Sequence, residues 1–375
     1  MISRTGLRLC SAITAVLFSQ SALADWELNM PQGVTELSQS IYDLHMLIFW
    51  ICVWIGVVVF GVMFYSMYKH RKSKGAKASQ FHESLTLELL WTAIPTLILV
   101  IMAVPATTTL VEMYDTDDAL VDIKITGYQW KWEYDYLGED VRFFSNLSTS
   151  KDEIYNRQDK GENYLLEVDK EMVIPTGVKV RFLLTAADVI HAWWVPEFAV
   201  KKDAVPGYVN ESWVKVPVGQ EGIYRGQCAE LCGVDHGFMP VVVRAVSQAD
   251  YETWLVDQRA SKAADAAAAL GDFSHDELMA KGAEVYAGRC AACHGQNGEG
   301  MGSVFPALQG SPIALGDVGA HINVVLNGTP GTAMQAFAAQ LNDVELAAVI
   351  TYERNAWGND TGDTVTPKNI IDARK

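Results

Sequence analysis

Two long apolar runs dominate the first third of the chain. Residues 46–67 hold 22 positions without a formal charge, and residues 89–111 hold 23. At 1.5 Å per residue a helix of either length crosses a hydrocarbon core of ~30 Å. The loop between them carries Lys69, Arg71, Lys72, Lys74 and Lys77, whereas the segment ahead of the first run carries Asp25, Glu27, Glu36 and Asp43 and no Lys or Arg. The positive-inside rule places that loop in the cytoplasm and everything after about residue 112 on the outer side. An earlier and shorter apolar stretch, residues 9–18, follows Arg4 and Arg8 and ends at Ala22-Leu23-Ala24. This is the layout of a leader over residues 1–24, cleaved before Asp25.

From Val121 the period of the pattern falls to two. Residues 128–136, Tyr-Gln-Trp-Lys-Trp-Glu-Tyr-Asp-Tyr, alternate aromatic and polar positions and predict one strand with one buried face. Further strands are predicted near residues 165–168, 178–184, 213–216, 223–227 and 241–246, with Gly and Pro between them, as in a β-sandwich or barrel. Ser247-Gln248-Ala249-Asp250 caps a short helix through Trp254. Residues 259–273 are Ala-rich and read as a linker. Ser274-His275-Asp276-Glu277 caps a helix reaching Tyr286, another helix covers residues 343–355, and residues 359–375 read as a polar, unordered tail. The chain thus divides into a leader (1–24), an N-terminal segment with two spans (25–111), an exported β-domain (112–258), a linker (259–273), a helical domain (274–358) and a tail.

Composition sharpens this picture at two points. The 375 residues carry a net charge of −16, which argues against nucleic acid as a partner. That acidity is local: residues 112–247 hold 14 basic and 23 acidic side chains, and residues 264–358 hold 3 and 10. Both exported domains therefore suit a basic protein partner. Six cysteines are too few for a disulfide scaffold, and four of them form the close pairs Cys228/Cys232 and Cys290/Cys293.

The first pair lies in residues 228–239, which also contain His236 and Met239; His191 precedes it in Asp188-Val189-Ile190-His191. Thiolates, imidazoles and a thioether point to copper or zinc. Two Cys and two His could close a structural zinc site, and the cysteines could form a disulfide, but neither gives Met239 a purpose. The stretch resembles the dinuclear copper (Cu-A) site of cytochrome c oxidase subunit II, and the resemblance covers roughly residues 35–250. It implies a cupredoxin-like fold in which Cys228 and Cys232 bridge two coppers, His191 and His236 each bind one, and Met239 is a weak ligand. It further implies that Glu230 offers its carbonyl to copper and its side chain to a magnesium ion shared with subunit I. Trp130 matches the aromatic residue at which electrons enter. Glu88, at the start of the second span, matches the carboxylate at the mouth of the K proton pathway; a carboxylate so placed is otherwise costly.

The second pair, Cys290-Ala291-Ala292-Cys293-His294, is the c-type haem attachment signal, in which the thiols take the vinyl groups and the imidazole one axial position. The other axial ligand is sought among Met301, His321 and Met334; Met334 follows an irregular Gly/Pro stretch and gives the His/Met pattern of cytochromes c. This part resembles all-α class I cytochrome c domains. The whole chain then resembles subunit II of a caa3-type haem–copper oxidase: a two-helix transmembrane hairpin, a cupredoxin-like domain and a fused cytochrome. The resemblance implies a bacterial inner membrane location with both large domains on the periplasmic side. It also implies subunit I with haems a/a3 and Cu-B as partner, together with subunit III and a basic cytochrome c-type donor. A copper subunit of a nitric oxide reductase and a membrane-tethered electron carrier are the competing readings.

Overall fold

Thr35 starts the first helix: its hydroxyl accepts from the Ser38 N–H (3.0 Å) while Ser38 Oγ accepts from the Thr35 N–H (2.9 Å). The structure, a computed structural model, describes residues 29–77, 82–302, 305–338 and 340–375. The expected leader over residues 1–24 lies outside the described residues. Helix α1 (Glu36–Lys69) and helix α2 (Leu85–Met113) are both long and apolar enough to cross a membrane. Trp54, Val62, Leu97 and Val104 are each more than 60% exposed, so these helices are apolar on sides that no part of the chain covers. Pro95 and Pro105 do not interrupt α2. The N-terminal end of α1 and the C-terminal end of α2 join the next domain, where Val34 N–H donates to Glu197 O (3.0 Å) and Trp213 Nε1 to Glu112 O (3.1 Å).

Ten strands then form two five-stranded sheets. They are β1 (Val121–Tyr128), β2 (Lys131–Tyr136), β3 (Val141–Ser145), β4 (Met172–Pro175), β5 (Val180–Ala186), β6 (His191–Val195), β7 (Val200–Ala204), β8 (Asn210–Val214), β9 (Gly222–Cys228) and β10 (Pro240–Val246). The sheet orders are β3-β2-β1-β5-β8 and β4-β10-β9-β6-β7, with β1–β5 and β4–β10 parallel. Trp132, Tyr134, Phe182 and Trp193 fill the space between them, which is the core of a cupredoxin-like sandwich.

The predicted strand over residues 128–136 is broken at Gln129-Trp130, where the chain reverses and β1 pairs with β2. No Gly, Pro, Asn or Asp marks this turn, because tertiary partners hold it: Gln129 N–H donates to Asp188 Oδ2 (2.7 Å) and Gln129 Nε2 to Cys232 O (2.7 Å). Nor is β2 buried on one face only. Trp132, Tyr134 and Tyr136 face the core, but Lys131 and Glu133 on the other face are buried too. The segment near 165–168 forms no strand, only a bridge from Val168 to Leu147. Strands β1, β3, β4, β6 and β7 fall outside the predicted ones; β4, for example, is buried at every position and so has no alternation to detect.

Helix α3 (Gln248–Ala268) runs well past Trp254 and absorbs most of the predicted linker. Alanine has the highest helix propensity, and Arg259–Glu139 and Lys262–Asp140 ion pairs fasten this helix to the β-domain. The final domain is helical: α4 (His275–Arg289), α5 (Val318–Asn327), α6 (Asp343–Asn355) and α7 (Pro367–Ala373). Helices α4 and α6 cross at Gly282, where a Cβ would sit 2.2 Å from Ala348 O, so only glycine allows the approach. Tyr286, Tyr352 and Trp357 pack together across this crossing. Tyr352 and Trp357 therefore join helix to helix and do not line the cavity described below.

The expected unordered tail is instead part of this fold. Val365 and Ile370 are fully buried, Arg354 pairs with Asp363, and Arg374 Nε lies 2.6 Å from Asp343 Oδ1. Arg354 is only 2% exposed and also donates to Ala314 O (2.8 Å), so the tail neutralises a charge that would otherwise be buried alone.

Candidate metal and haem sites

Strands β6 and β9 bring the first site together. Trp193 pairs with Cys228, which sets His191, at the start of β6, beside the end of β9. The loop after Cys228 then folds back through a single helical turn, His236–Phe238, before β10 begins. Cys228 Sγ lies 3.8 Å from Cys232 Sγ and 3.9 Å from His191 Nδ1. Cys232 Sγ lies 3.4 Å from His236 Nδ1 and 3.5 Å from Met239 Sδ. Cys228 Sγ also lies 3.3 Å from the carbonyl oxygen of Glu230, whose side chain is exposed. Five soft or borderline donors and one carbonyl thus converge on one small volume. His191, Cys228 and Cys232 are buried within it.

The surroundings orient these donors. His191 Nε2 meets Asp188 Oδ1 at 2.9 Å, which directs the Nδ1 lone pair towards the sulfurs. Gly127 on β1 packs against the same ring, where a Cβ would sit 2.8 Å from His191 Cδ2. Trp132 Nε1 donates to Met239 O (3.2 Å), and Trp130 Nε1 donates to Cys232 O (3.2 Å). Burial opposes a charge on Asp188, but hydrogen bonds from His191, Gln129 and Val189 outweigh it and hold the carboxyl below its ordinary value. Burial likewise opposes the His191 cation, yet Asp188 and Cys228 bring it up to about 8. Burial and then the Cys228 sulfur push the Cys232 thiol up to about 12. Metal binding here must therefore displace protons, as thiolate and imidazole ligation requires.

The second site is a cavity of ≈ 470 Å³ in the helical domain. Cys290, Cys293 and His294 enter it from the turn after α4, and Met334 and His321 line it with Phe305, Val325 and Phe337. His294 Nδ1 lies 2.8 Å from Pro306 O, which leaves Nε2 for an axial bond. The apolar lining, the paired thiols and a thioether fit a covalently attached haem. Met301 is 45% exposed and lies outside the lining. His321, near the start of α5, is 2% exposed, with Nε2 2.9 Å from Glu353 Oε2. The glycines of residues 295–302 do not line the cavity either; Gly295, Gly298, Gly300 and Gly302 all have positive φ and turn the chain. Glu88 sits exposed in the first turn of α2, far in sequence from both sites.

Sequence reasoning gave no role to Asp188, although a carboxylate three residues before a candidate ligand histidine was the available signal. It also passed over Lys131 and Asp235. Burial and then the Asp235 carboxylate, from the copper-type loop, raise the Cys293 thiol.

Comparison with known proteins identifies the families that these two domains are similar to. Residues 24–108 match the transmembrane domain and residues 121–246 the periplasmic domain of cytochrome c oxidase subunit II. Residues 277–352 match a family described as cytochrome c oxidase, cbb3-type, subunit III. A probable cytochrome c oxidase subunit 2 of Rickettsia bellii (strain RML369-C) is 35% identical over 250 residues, covering 66% of this chain and 91% of that one. The mitochondrial cytochrome c oxidase subunit 2 of Vigna unguiculata is 37% identical over 259 residues, covering 67% of this chain and 66% of that one. The crystal structure of the periplasmic domain of subunit II from Bradyrhizobium japonicum is 39% identical and covers 39% of this chain and 98% of that one, with a TM-score of 0.35. The first domain thereby implies copper, the second haem c, and both a haem–copper oxidase in which this chain works with subunit I. The chain belongs to the cytochrome c oxidase subunit II family and carries a cytochrome c domain behind its copper domain.

Proposed function

We propose that this chain is the electron-accepting subunit of a respiratory oxidase that reduces dioxygen to water and translocates protons. Bound haem c and a dinuclear Cu-A centre supply the redox chemistry, carrying electrons from a donor towards haem a of subunit I. Cys290 and Cys293 would hold the haem covalently, and His294 and Met334 would offer their imidazole and thioether to its iron. Cys228, Cys232, His191, His236, Met239 and the Glu230 carbonyl would hold the copper. Asp188 holds the His191 ring in its ligating tautomer. Trp130, hydrogen-bonded to the Cys232 carbonyl, is the aromatic contact on the electron path into copper. The exposed Glu230 carboxylate is available for a magnesium ion shared with subunit I. Glu88 is the carboxylate at the entrance of a proton path. The chain lies in a bacterial inner membrane with both redox domains on the periplasmic side, beside subunits I and III.

The observation that carries this reading is the convergence of two sulfurs, two Nδ1 atoms and a thioether within contacts of 3.4–3.9 Å, in the same chain as a thiol-bearing haem cavity. The test is purification of the complex from native membranes. It should contain a many-span, haem-a-bearing subunit and consume dioxygen with a reduced basic cytochrome. Its donor oxidation should slow as ionic strength rises, because both exported domains are acidic. Nitric oxide turnover without dioxygen turnover would sink the oxidase reading, and a salt-independent rate would remove the basic donor.

A further inference from the structure

A lysine is buried where the copper domain meets the cytochrome. Lys131 opens β2 directly after Trp130, and only 7% of it is exposed. Its Nζ donates to Gln335 Oε1 (2.8 Å) and to Gln340 Oε1, and Gln335 directly follows Met334. The ring of Phe337, from the same loop, lies 5.8 Å from Nζ, and the ring of Phe144, from β3, lies 5.1 Å away. Lysine is seldom buried unless it is paired. Here the nearest partners are two neutral amides from the other domain. Burial, and then the Arg289 guanidinium, push the ammonium down to about 7. Its donation to the two amide oxygens survives in either protonation state.

A second contact fixes the same surface from another direction. Arg289 immediately precedes Cys290, and its Nη2 lies 3.5 Å from Asp169 Oδ2 of the β-domain. The methionine loop and the haem-attachment turn are therefore both held against the domain that carries Trp130 and the copper-ligand loop.

We propose that Lys131 is the positioning residue of the interdomain electron step: it fastens the loop from Met334 to Gln340 beside Trp130 and so holds the haem cavity at one separation from the copper ligands. This rests on the electron route proposed above. The step moves one electron from haem iron, which is oxidised, to the copper pair, which is reduced; no bond forms or breaks. Such a transfer weakens steeply with separation, so a loosened contact should act on the rate without altering either centre.

The experiment uses the full chain in the assembled oxidase. Lys131→Met keeps the apolar stem and removes the donor. Both absorption spectra and both redox potentials should be retained. Amide hydrogen exchange across residues 335–341 should accelerate, and haem-to-copper transfer after flash reduction should slow by about tenfold or more. The swapped pair Lys131→Gln with Gln335→Lys should recover part of both, which a purely structural defect would not allow. If Lys131→Met loses either absorption band, Gln335→Leu tests the contact from the other side, with the same two changes expected. Unchanged exchange and rate in these variants overturn the clamp. Faster exchange in a variant, with no haem-to-copper transfer even in the unaltered chain, overturns the electron route instead.

Discussion

Replacing His236 by alanine should abolish the near-infrared absorption of the mixed-valence copper pair while the haem absorption of the same chain persists. His236 is only half-buried, on a loop outside the sheets, so its removal opens no core cavity. Its cost to folding should stay near that of an ordinary surface change, within about 0.5 kcal/mol. Its cost to the metal site is much larger. The Nδ1 atom lies 3.4 Å from Cys232 Sγ, and among the described residues no other imidazole serves that side of the sulfur pair. His191 is held on the other side by Asp188 and Gly127 and has no freedom to replace it. A copper left with one imidazole too few cannot share an electron evenly with its neighbour, so the delocalised band should vanish even if some copper remains. The measurement is the absorption spectrum with metal analysis on one sample. A retained band would remove His236 from the ligand set. Loss of both the copper and the haem bands would indicate failed folding rather than lost ligation.

The sites were more legible than the fold around them. The copper-type loop was readable because four donors lie within twelve consecutive residues, where chain connectivity alone keeps them close. The haem signal is local for the same reason. His191 was legible as a second imidazole, but its place beside Cys228 was not, since 37 residues separate the two and pairing of β6 with β9 makes them neighbours. Lys131 was not legible as an interface residue. Along an isolated strand its polar position predicts solvent, and only a second domain on that face buries it. The Gln129-Trp130 turn was hidden because its hydrogen bonds are paid by Asp188 and Cys232, distant in sequence, and not by turn-forming residues. The tail failed for a related reason. Val365, Pro367 and Ile370 are too sparse to show a period, and the charge that Asp363 meets, Arg354, belongs to another helix. Long apolar helices need no such partner to be recognised, which is why α1 and α2 were both predicted, although α1 starts at Glu36, well ahead of its apolar run.

Replacing Met334 by alanine should lower the haem potential by on the order of 0.1 V or more, since axial ligands set haem potentials over a range of about 0.8 V. The thioether favours ferrous iron, and its loss leaves water or a stronger donor that favours the ferric form. The backbone should survive the change. Thr329 N–H donates to Met334 O (2.9 Å), and Phe337 N–H donates to Val325 O (3.0 Å), so the loop is pinned by bonds that alanine keeps. For one electron, 59 mV is a factor of ten in equilibrium constant. A drop of about 0.1 V would therefore disfavour reduction by the donor by a factor of roughly fifty. Because copper lies beyond the haem on the proposed route, its own potential should not move. A titration that resolves the two centres separately makes the distinction. An unchanged haem potential would pass the axial role to another residue. His321 is the candidate within the cavity, with Nε2 held by Glu353 and its buried Nδ1 without a hydrogen-bond partner among the described residues, whereas Met301 would have to move in from outside the lining. The double variant with His321→Ala separates these two: if Met334→Ala alone leaves the potential unchanged and the pair lowers it, His321 is the ligand.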